Sequence, residues 1–436
     1  MKKYIILFLL ILPVTIQAQK TLTLQKCLEI ALENNYALKI SRNTSEIASN
    51  NVTLANAGYL PTVSAEASYS GTVNNNWQET TAGVKSSSSG VHNQNYNVGL
   101  SLAWNIFQGL RVQTTYNRLK ELETIGELET QLAIETMISN LTAEYYNYIR
   151  QKKRYSNFEY VLSLSRERLR ITETQYQLGA RSKLELLQAR VDFNSDSSNY
   201  VNQQQVVLAS ATNLKFIMGS TLPLEDKLEF DLNIDIDQSL VYNDLLNQTL
   251  TGNKNLLAAL RNTAITELDL KIVRSYSLPY LRLSSGYGYT QNRYGNSSVK
   301  VNENLGLNYG LTLGINLFNG FNHHRNMKNA RLTVKNAELR YQELENDIKA
   351  SLYEDYNAYQ NNLRLLDLER MNLDVAKENY EIAMERYKLG ALAGIELREA
   401  QKSFQDAEER LLLIEYQTKA NEIALMRISG RLTEYL

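Results

Sequence analysis

Glu396 and Glu399 are the residues whose types and spacing best suit a shared charged site, because positions i and i+3 of a helix lie on one face. Two carboxylates on one face would attract cations. The alternative is a local role, since acidic residues early in a helix stabilise it through the helix dipole. The spacing alone leaves both interpretations open.

The remaining reactive residue types form no catalytic pattern in the sequence. His92, His323 and His324 lack the spacing of a zinc site, and the chain has one cysteine, Cys27. There is no pairing of nucleophile and base and no phosphate-binding loop, so we predict that the protein is not an enzyme and has no cofactor or metal. The 46 basic and 47 acidic residues are interspersed, which argues against nucleic acid as a partner.

The first 18 residues have the pattern of a secretory signal peptide. Two lysines precede an apolar run at residues 4–12, and Pro13 and Ala18 follow. A buried N-terminal helix is the alternative, which the paired lysines and the polar sequence after them disfavour. No later stretch approaches the roughly 20 apolar residues of a spanning helix, so a membrane-embedded chain would have to use strands.

The two halves of the chain repeat each other. Three glycines stand 211 residues before three others, and the residues around them also match. One offset shared by such different segments indicates an internal duplication, in which each unit is expected to bury its apolar face against its neighbour. The pairs are Gly109 and Gly320, Gly179 and Gly390, and Gly219 and Gly430.

Four segments, two in each half, alternate apolar with small or polar residues. This period of two predicts β-strands with one apolar face. Their length and their Tyr and Trp content are typical of membrane barrels, although a soluble sandwich could show the same alternation. We expect an Asn- and Ser-rich loop at 74–93. The apolar positions are Val63, Ala65, Ala67 and Tyr69; Tyr96, Val98, Leu100, Leu102, Trp104 and Ile106; Leu281, Leu283, Ser285, Tyr287 and Tyr289; and Leu305, Leu307, Tyr309, Leu311, Leu313, Ile315 and Leu317.

Long helices are predicted between these strands and the central glycines. Residues 321–389 contain neither Gly nor Pro, and residues 110–178 contain only Gly126, so each helix could reach roughly 100 Å. Apolar residues spaced three and four apart predict coiled-coil-like packing. Gly179 and Gly390 should end these helices, and a second helix should return from each glycine.

The chain is thus divided into a signal peptide at 1–18, a first structural repeat at 19–219, an equatorial linker at 220–238 and a second structural repeat at 239–436. Each repeat begins with shorter helices. The strand pairs are assigned to 62–107 and 280–318, and the long helical hairpins to 110–218 and 321–430. Within the linker, alternating residues at 228–236 predict a short strand.

Four strands cannot close a barrel, since single-chain bacterial barrels have at least eight. Unpaired strand edges are not tolerated in hydrocarbon, so a membrane-embedded chain must pool its strands with copies of itself. The strand count alone permits two, three or four copies.

Several segments together resemble the TolC family of outer-membrane channel-tunnel proteins over nearly all of the mature sequence. They are residues 22–24 (LTL), 31–35 (ALENN) and 59–61 (YLP), together with the two hairpin tips. The resemblance implies a mainly α fold with a β-barrel portion, in which a homotrimer forms a 12-stranded barrel in outer-membrane lipid and a periplasmic α-helical tunnel.

The resemblance also implies a function. It indicates a passive exit duct of a tripartite efflux or type I secretion system, opened at its periplasmic tip by a periplasmic adaptor (a membrane fusion protein) and an inner-membrane pump of the RND, ABC or MFS type. The exported substrate is not indicated. The alternative is a soluble periplasmic coiled-coil scaffold without a pore.

Two groups of site residues follow from the resemblance. The pore gate is assigned to Glu396 and Glu399, which threefold symmetry would turn into two carboxylate rings, and to Glu185 and Tyr387, which match positions that join the hairpins in a closed state. Leu392 replaces a basic residue of some relatives. The tip that would meet the adaptor, for which a plain helical turn is the alternative, comprises Leu178, Gly179, Ala180, Arg181, Leu389, Gly390, Ala391 and Leu392.

Overall fold

The structure, a computed structural model, describes residues 22–219 and 232–435. The predicted signal peptide and residues 220–231 of the predicted linker lie outside the described residues. The chain divides into two compact units. One unit contains the described residues of Met1–Lys39, Leu132–Asn253 and Ile348–Leu436, and the other contains Ile40–Gln131 and Lys254–Asp347.

The described elements follow the same order in both halves, which is short helices, two strands and a helical hairpin. In the first half they are α1 (Leu24–Asn34), α2 (Tyr36–Asn50), α3 (Leu54–Ala57), β1 (Thr62–Glu79), β2 (Lys85–Gln108), α4 (Arg111–Gln177) and α5 (Lys183–Met218). In the second half they are α6 (Tyr242–Gly252), α7 (Lys254–Ser275), β3 (Tyr280–Arg293), β4 (Val301–Gly314), α8 (Asn322–Lys388), α9 (Gly394–Ile428) and a 3-10 helix (Leu432–Tyr435).

The four strands form one antiparallel sheet in the order β1-β2-β3-β4. Its register aligns Ala65 with Leu100, Leu100 with Tyr287, and Tyr287 with Leu307. Since side chains alternate along a strand, this register places the predicted apolar positions on one face as far as Trp104 in β2 and Leu313 in β4. Ile106 lies at a bulge between Asn105 and Phe107, where Phe107 pairs with Leu281 instead. The strands predicted from the alternation are confirmed.

Two segments around the strands differ from the sequence-based prediction. Residues 74–93 are mostly strand rather than loop, and Asn75 stabilises a bulge by accepting hydrogen bonds from Ser89 Oγ and Gly90 N, each at 2.8 Å. At the other end of the sheet, β4 stops at Gly314, so residues 315–318 are not in a strand. The pairing ends there because β3 begins directly after Pro279, which has no N–H to donate.

The two long helices α4 and α8 are each 67 residues long, as predicted from segments with no proline and, in α4, a single glycine, Gly126. Among the described residues, no helix combines the length and apolar composition needed to cross a membrane.

The junctions between short helices show the duplication most directly. Asn35 Nδ2 donates to Ile217 O at 2.8 Å, and Asn253 Nδ2 donates to Ile428 O at 2.9 Å. These contacts tie each junction to the end of α5 or α9. The extended backbone of the two asparagines therefore interrupts the helix between α1 and α2 and between α6 and α7.

The described part of the linker forms no strand at residues 232–237. Its alternating apolar residues do not line a strand face. Ile234 and Ile236 instead pack against two separate helical clusters. Asp237 N–H donates to Glu422 Oε2 at 3.0 Å. The segment is thus held by helix side chains, and the strand predicted there is wrong for the described residues.

Candidate functional site

The two hairpin tips have nearly the same backbone. Gly179 has φ +74° and Gly390 has φ +75°, the left-handed conformation that ends a helix and favours glycine. In both tips the alanine after the glycine donates its N–H to the carbonyl five residues earlier, at 2.8 and 2.9 Å. The predicted ends of the long helices are confirmed, and both turns are closed by the same hydrogen bonds.

Six of the eight predicted tip residues are exposed. Leu178 and Leu389 are the most prominent, with 78% and 82% of their surface accessible. The glycine and alanine that follow each leucine are also exposed. Each tip therefore ends in one large apolar side chain beside two small residues.

Arg181 and Leu392, the other two tip residues, face the protein instead. The Arg181 side chain is 11% exposed, and its Nη1 lies 2.7 Å from Glu185 Oε1. Its Nη2 donates to Leu392 O at 3.0 Å, and its guanidinium lies 4.9 Å from the centroid of the Tyr387 ring. A cation above an aromatic face is attracted by the ring electrons. Arg181 of the first hairpin thus contacts the second hairpin twice.

Tyr387 is 1% exposed and reaches the first hairpin through its hydroxyl. The hydroxyl oxygens of Tyr387 and Thr172 are 2.6 Å apart, and Thr172 Oγ1 donates to Arg168 O at 2.7 Å. Because a hydroxyl has one hydrogen to donate, Tyr387 is the donor to Thr172. A chain of two hydrogen bonds therefore runs from α8 to the backbone of α4.

Glu185 stabilises the start of α5. Its Oε2 accepts from the N–H of Ser182 at 2.9 Å, and the Ser182 side chain caps the Glu185 N–H in return. The backbone N–H of Ser182, and then the Arg181 guanidinium, lower the pKa of the Glu185 carboxyl. The group is thus held ionised next to Arg181.

Glu396 and Glu399 lie on one exposed face at the start of α9. Glu396 Oε2 accepts from Ala393 N at 3.0 Å, so this carboxylate caps its own helix as Glu185 does. Both glutamates line an open groove of about 350 Å³ together with Arg386. The local role considered from the sequence is therefore present in Glu396, which also lines the groove.

Sequence reasoning missed a set of buried polar residues farther along the hairpins. Ser165, Arg168 and Thr172 follow a spacing of three and four on α4. Ser165 contacts Asp196 of α5 and Arg168 contacts Asp192. Arg398 and Gln401 of the second hairpin contact the same set. The available signal was the comparison of the two repeats, because Ser165, Thr172 and Asp196 stand where the second half has alanine.

Comparison with known proteins gives the family. A family model described as "Outer membrane efflux protein" matches residues 27–220 and 245–431, and the chain belongs to that family. The outer membrane protein TolC of Vibrio cholerae is 22% identical over 274 residues, which cover 60% of this chain and 60% of that protein.

Solved structures share the fold. The CmeC outer membrane channel of Campylobacter jejuni has a TM-score of 0.77 and 21% identity, over 94% of this chain and 85% of that one. The open state of the MtrE outer membrane channel of Neisseria gonorrhoeae has a TM-score of 0.74 and 18% identity, over 94% and 89%. The predicted resemblance, fold class and outer-membrane localisation are confirmed.

Proposed function

We propose that the protein is the exit duct of a tripartite efflux or type I secretion system. Three copies form one channel, which an inner-membrane pump supplies through a periplasmic adaptor. The channel itself is passive, because the gate and tip residues assigned to it require contacts and charge rather than bond chemistry.

The main observation in support of this proposal is that the four-stranded sheet of the described chain has two unpaired edges. Both edges, β1 and β4, lack a strand partner among the described residues. The apolar face is also bare, since five alternate residues of β4 are each more than 60% exposed: Leu305, Leu307, Tyr309, Leu311 and Leu313. A sheet with free edges is tolerated in lipid only when it closes, and three copies would supply twelve strands.

The gate is assigned to the contacts between the two hairpin tips. Arg181 and Tyr387 hold the second hairpin against the first, and Glu185 orients Arg181 through their ion pair. Opening would require these contacts to separate. Under threefold symmetry Glu396 and Glu399 form two carboxylate rings at the entrance, which favour cations over anions.

The tips are assigned to adaptor docking. Leu178 and Leu389, with the small residues beside them, form two similar apolar projections separated by 211 residues in the chain. Exposed apolar residues next to glycine and alanine allow the close approach of another helix. The adaptor would therefore contact each copy at two related sites.

The proposal is tested by purifying the matured protein from outer membranes in detergent. We expect a trimeric mass and, in planar lipid bilayers, a cation-selective conductance. A soluble protein found in the periplasmic fraction would support the scaffold alternative and overturn the proposed duct.

A cysteine replacing Ala180 or Ala391 tests the docking assignment. Crosslinking in cells from either position should capture the adaptor, while a cysteine at the exposed Ser198 on α5 serves as the control away from the tip. Equal capture from Ser198 would contradict a tip-specific site.

A further inference from the structure

Four charged residues lie between the two hairpins beyond the tip contacts, two of them buried and two partly buried. Arg168 and Asp196 are 3% and 2% exposed, and Asp192 and Arg398 are 13% and 26% exposed at their side chains. We call these four residues the ion cluster. They balance two positive against two negative charges.

The contact between hairpins is made by Asp196 and Arg398. Arg398 Nη1 lies 2.7 Å from Asp196 Oδ2, and Nη2 lies 2.9 Å from Oδ1. Such a two-pronged pair is both strong and demanding in geometry. It is reinforced by Ser165, which donates to Asp196 and accepts from Gln401 Nε2 at 2.9 Å.

Arg168 supports the cluster from α4 and is incompletely satisfied. One of its nitrogens, Nη2, is paired with Asp192, whereas Nε and Nη1 are buried without a hydrogen-bond partner in the described part of the chain. An unpaired buried donor costs free energy. The packing of the described residues in this structure therefore leaves two donors of the Arg168 side chain unsatisfied.

The second repeat shows that this position does not require charge. Ala407 is the equivalent of Asp196 and is fully buried, and Ala376, the equivalent of Ser165, packs against an apolar cluster. Replacing buried ion pairs by apolar residues is often neutral or stabilising. A charged cluster at an interface that separates has a different advantage, because water can solvate its members once they part.

We propose that the Asp196–Arg398 pair is a second latch, an inter-hairpin contact that holds the closed state and must break for the tip to open. This inference rests on the proposed gate function. It adds residues to which neither the sequence pattern nor the family resemblance assigned a role.

The geometry links this latch to the tip contacts through one face of α4. Arg168 pairs with Asp192 through its side chain, and its carbonyl accepts from Thr172, which accepts from Tyr387. Movement of the second hairpin relative to α4 therefore strains both contacts. We expect them to open together.

The test compares open probability in planar bilayers among variants that are first shown to form trimers. Asp196→Asn keeps the volume of the side chain and removes its charge, and Asp196→Ala removes both. Each should raise the open fraction about tenfold or more, because Arg398 loses its two-pronged partner at the interface and keeps only Asp192, whose Oδ1 lies 4.0 Å from its Nε. The exchanged pair Asp196→Arg with Arg398→Asp should restore a low open fraction.

A second set of variants tests whether the latch needs a polar pair or only close packing of the two hairpins. The apolar pair Asp196→Leu with Arg398→Met should keep the channel closed and reduce export, since separating the hairpins would then expose apolar surface. The control is Arg154→Ala, which removes a 2.6 Å inter-hairpin pair with Glu409 in which both side chains are over 30% exposed. An exposed pair contributes little, so the open fraction should change less than twofold.

The outcomes distinguish this inference from the gate proposal. If Tyr387→Phe and Arg181→Leu raise the open fraction while trimeric Asp196→Asn and Asp196→Ala do not, the second latch is wrong and the gate stands. If the Asp196 variants open the channel and the tip variants do not, the latch stands and the tip assignment is wrong. Failure of the exchanged pair to restore closure would overturn the ion-pair role.

Discussion

Arg181 in the first hairpin and Leu392 in the second occupy equivalent positions, 211 residues apart, yet one supplies a cation and the other a backbone carbonyl to the same contact. The turns around them have matching glycine conformations. The duplication therefore preserved the backbone of the two tips, while only the first tip carries a cation that reaches the carbonyl of the other.

Two tyrosines sharpen the comparison. Tyr176 and Tyr387 are the same residue at equivalent positions, but Tyr176 is 38% exposed and Tyr387 is 1% exposed. Tyr387 meets the Thr172 hydroxyl, whereas the equivalent of Thr172 in the second repeat is Ala383, which has none. A conserved side chain has a different role in each hairpin because its neighbours differ.

The largest effect in this comparison is expected from Arg181→Leu, which makes the first tip like the second. The substitution removes the ion pair with Glu185, the hydrogen bond to Leu392 O and the contact with Tyr387. We expect the open fraction in planar bilayers to rise about tenfold, which corresponds to about 1.4 kcal/mol. Arg190→Leu is the control, since Arg190 pairs at 2.8 Å with Glu173 inside one hairpin. Equal effects of the two substitutions would contradict a specific role for Arg181.

A smaller effect is expected from Tyr387→Phe, which removes one hydroxyl. Loss of a hydrogen bond costs about 1 kcal/mol, so the open fraction should rise about fivefold. The matched control is Tyr176→Phe at the equivalent position, which should leave single-channel recordings unchanged. An equal rise in open fraction in both variants would contradict a specific role for the Tyr387 hydroxyl.

Ion selectivity tests a third difference between the tips. Glu399 has Gln188 as its equivalent in the first repeat, so only the second tip carries both acidic residues. The double variant Glu396→Ala with Glu399→Ala should lower the preference for cations and increase conductance, as measured by the reversal potential in a salt gradient. Glu185→Ala should not change the reversal potential as much, because that carboxylate is engaged by Arg181. An unchanged reversal potential in the double variant would contradict the assignment of Glu396 and Glu399 to carboxylate rings in the pore.

The smallest effect is expected from acidification. Because the folded pKa of Glu185 is lowered, the stability contributed by its charge is present above its usual pKa of about 4.3 and is lost as the pH falls through the folded value. Conductance should therefore be unaffected by Glu185 between pH 7 and pH 5 and should rise at a lower pH. Glu185→Gln should lack this component, and an identical acid response in that variant would exclude Glu185 as its origin.

Much of the fold could be predicted from periodicity. The helices of 67 residues and the apolar face of the sheet follow from the spacing of apolar residues, and Gly179 and Gly390 end helices as their backbone preference predicts. The length of β1 could not be predicted, because the low strand propensity of residues 74–79 is overcome by pairing with β2. The end of β4 likewise depends on its partner strand.

The candidate site was predictable only in part. Tyr387 and Glu185 were identified through family resemblance, and Arg181 was identified as an exposed docking residue although it faces the second hairpin. The Asp196–Arg398 pair was missed altogether. Its members are 202 residues apart, and the spacing of residues within one helix carries no information about such a partner.

The sequence by itself determined the duplication, the order of helices and strands and the backbone of both tips, because each depends on local periodicity or on the conformational freedom of one glycine. Tertiary structure decided which polar residues meet across the hairpins. It brings together Arg181 with Tyr387 and Asp196 with Arg398, since such contacts depend on how two helical surfaces pack and on which side chains the packing removes from water.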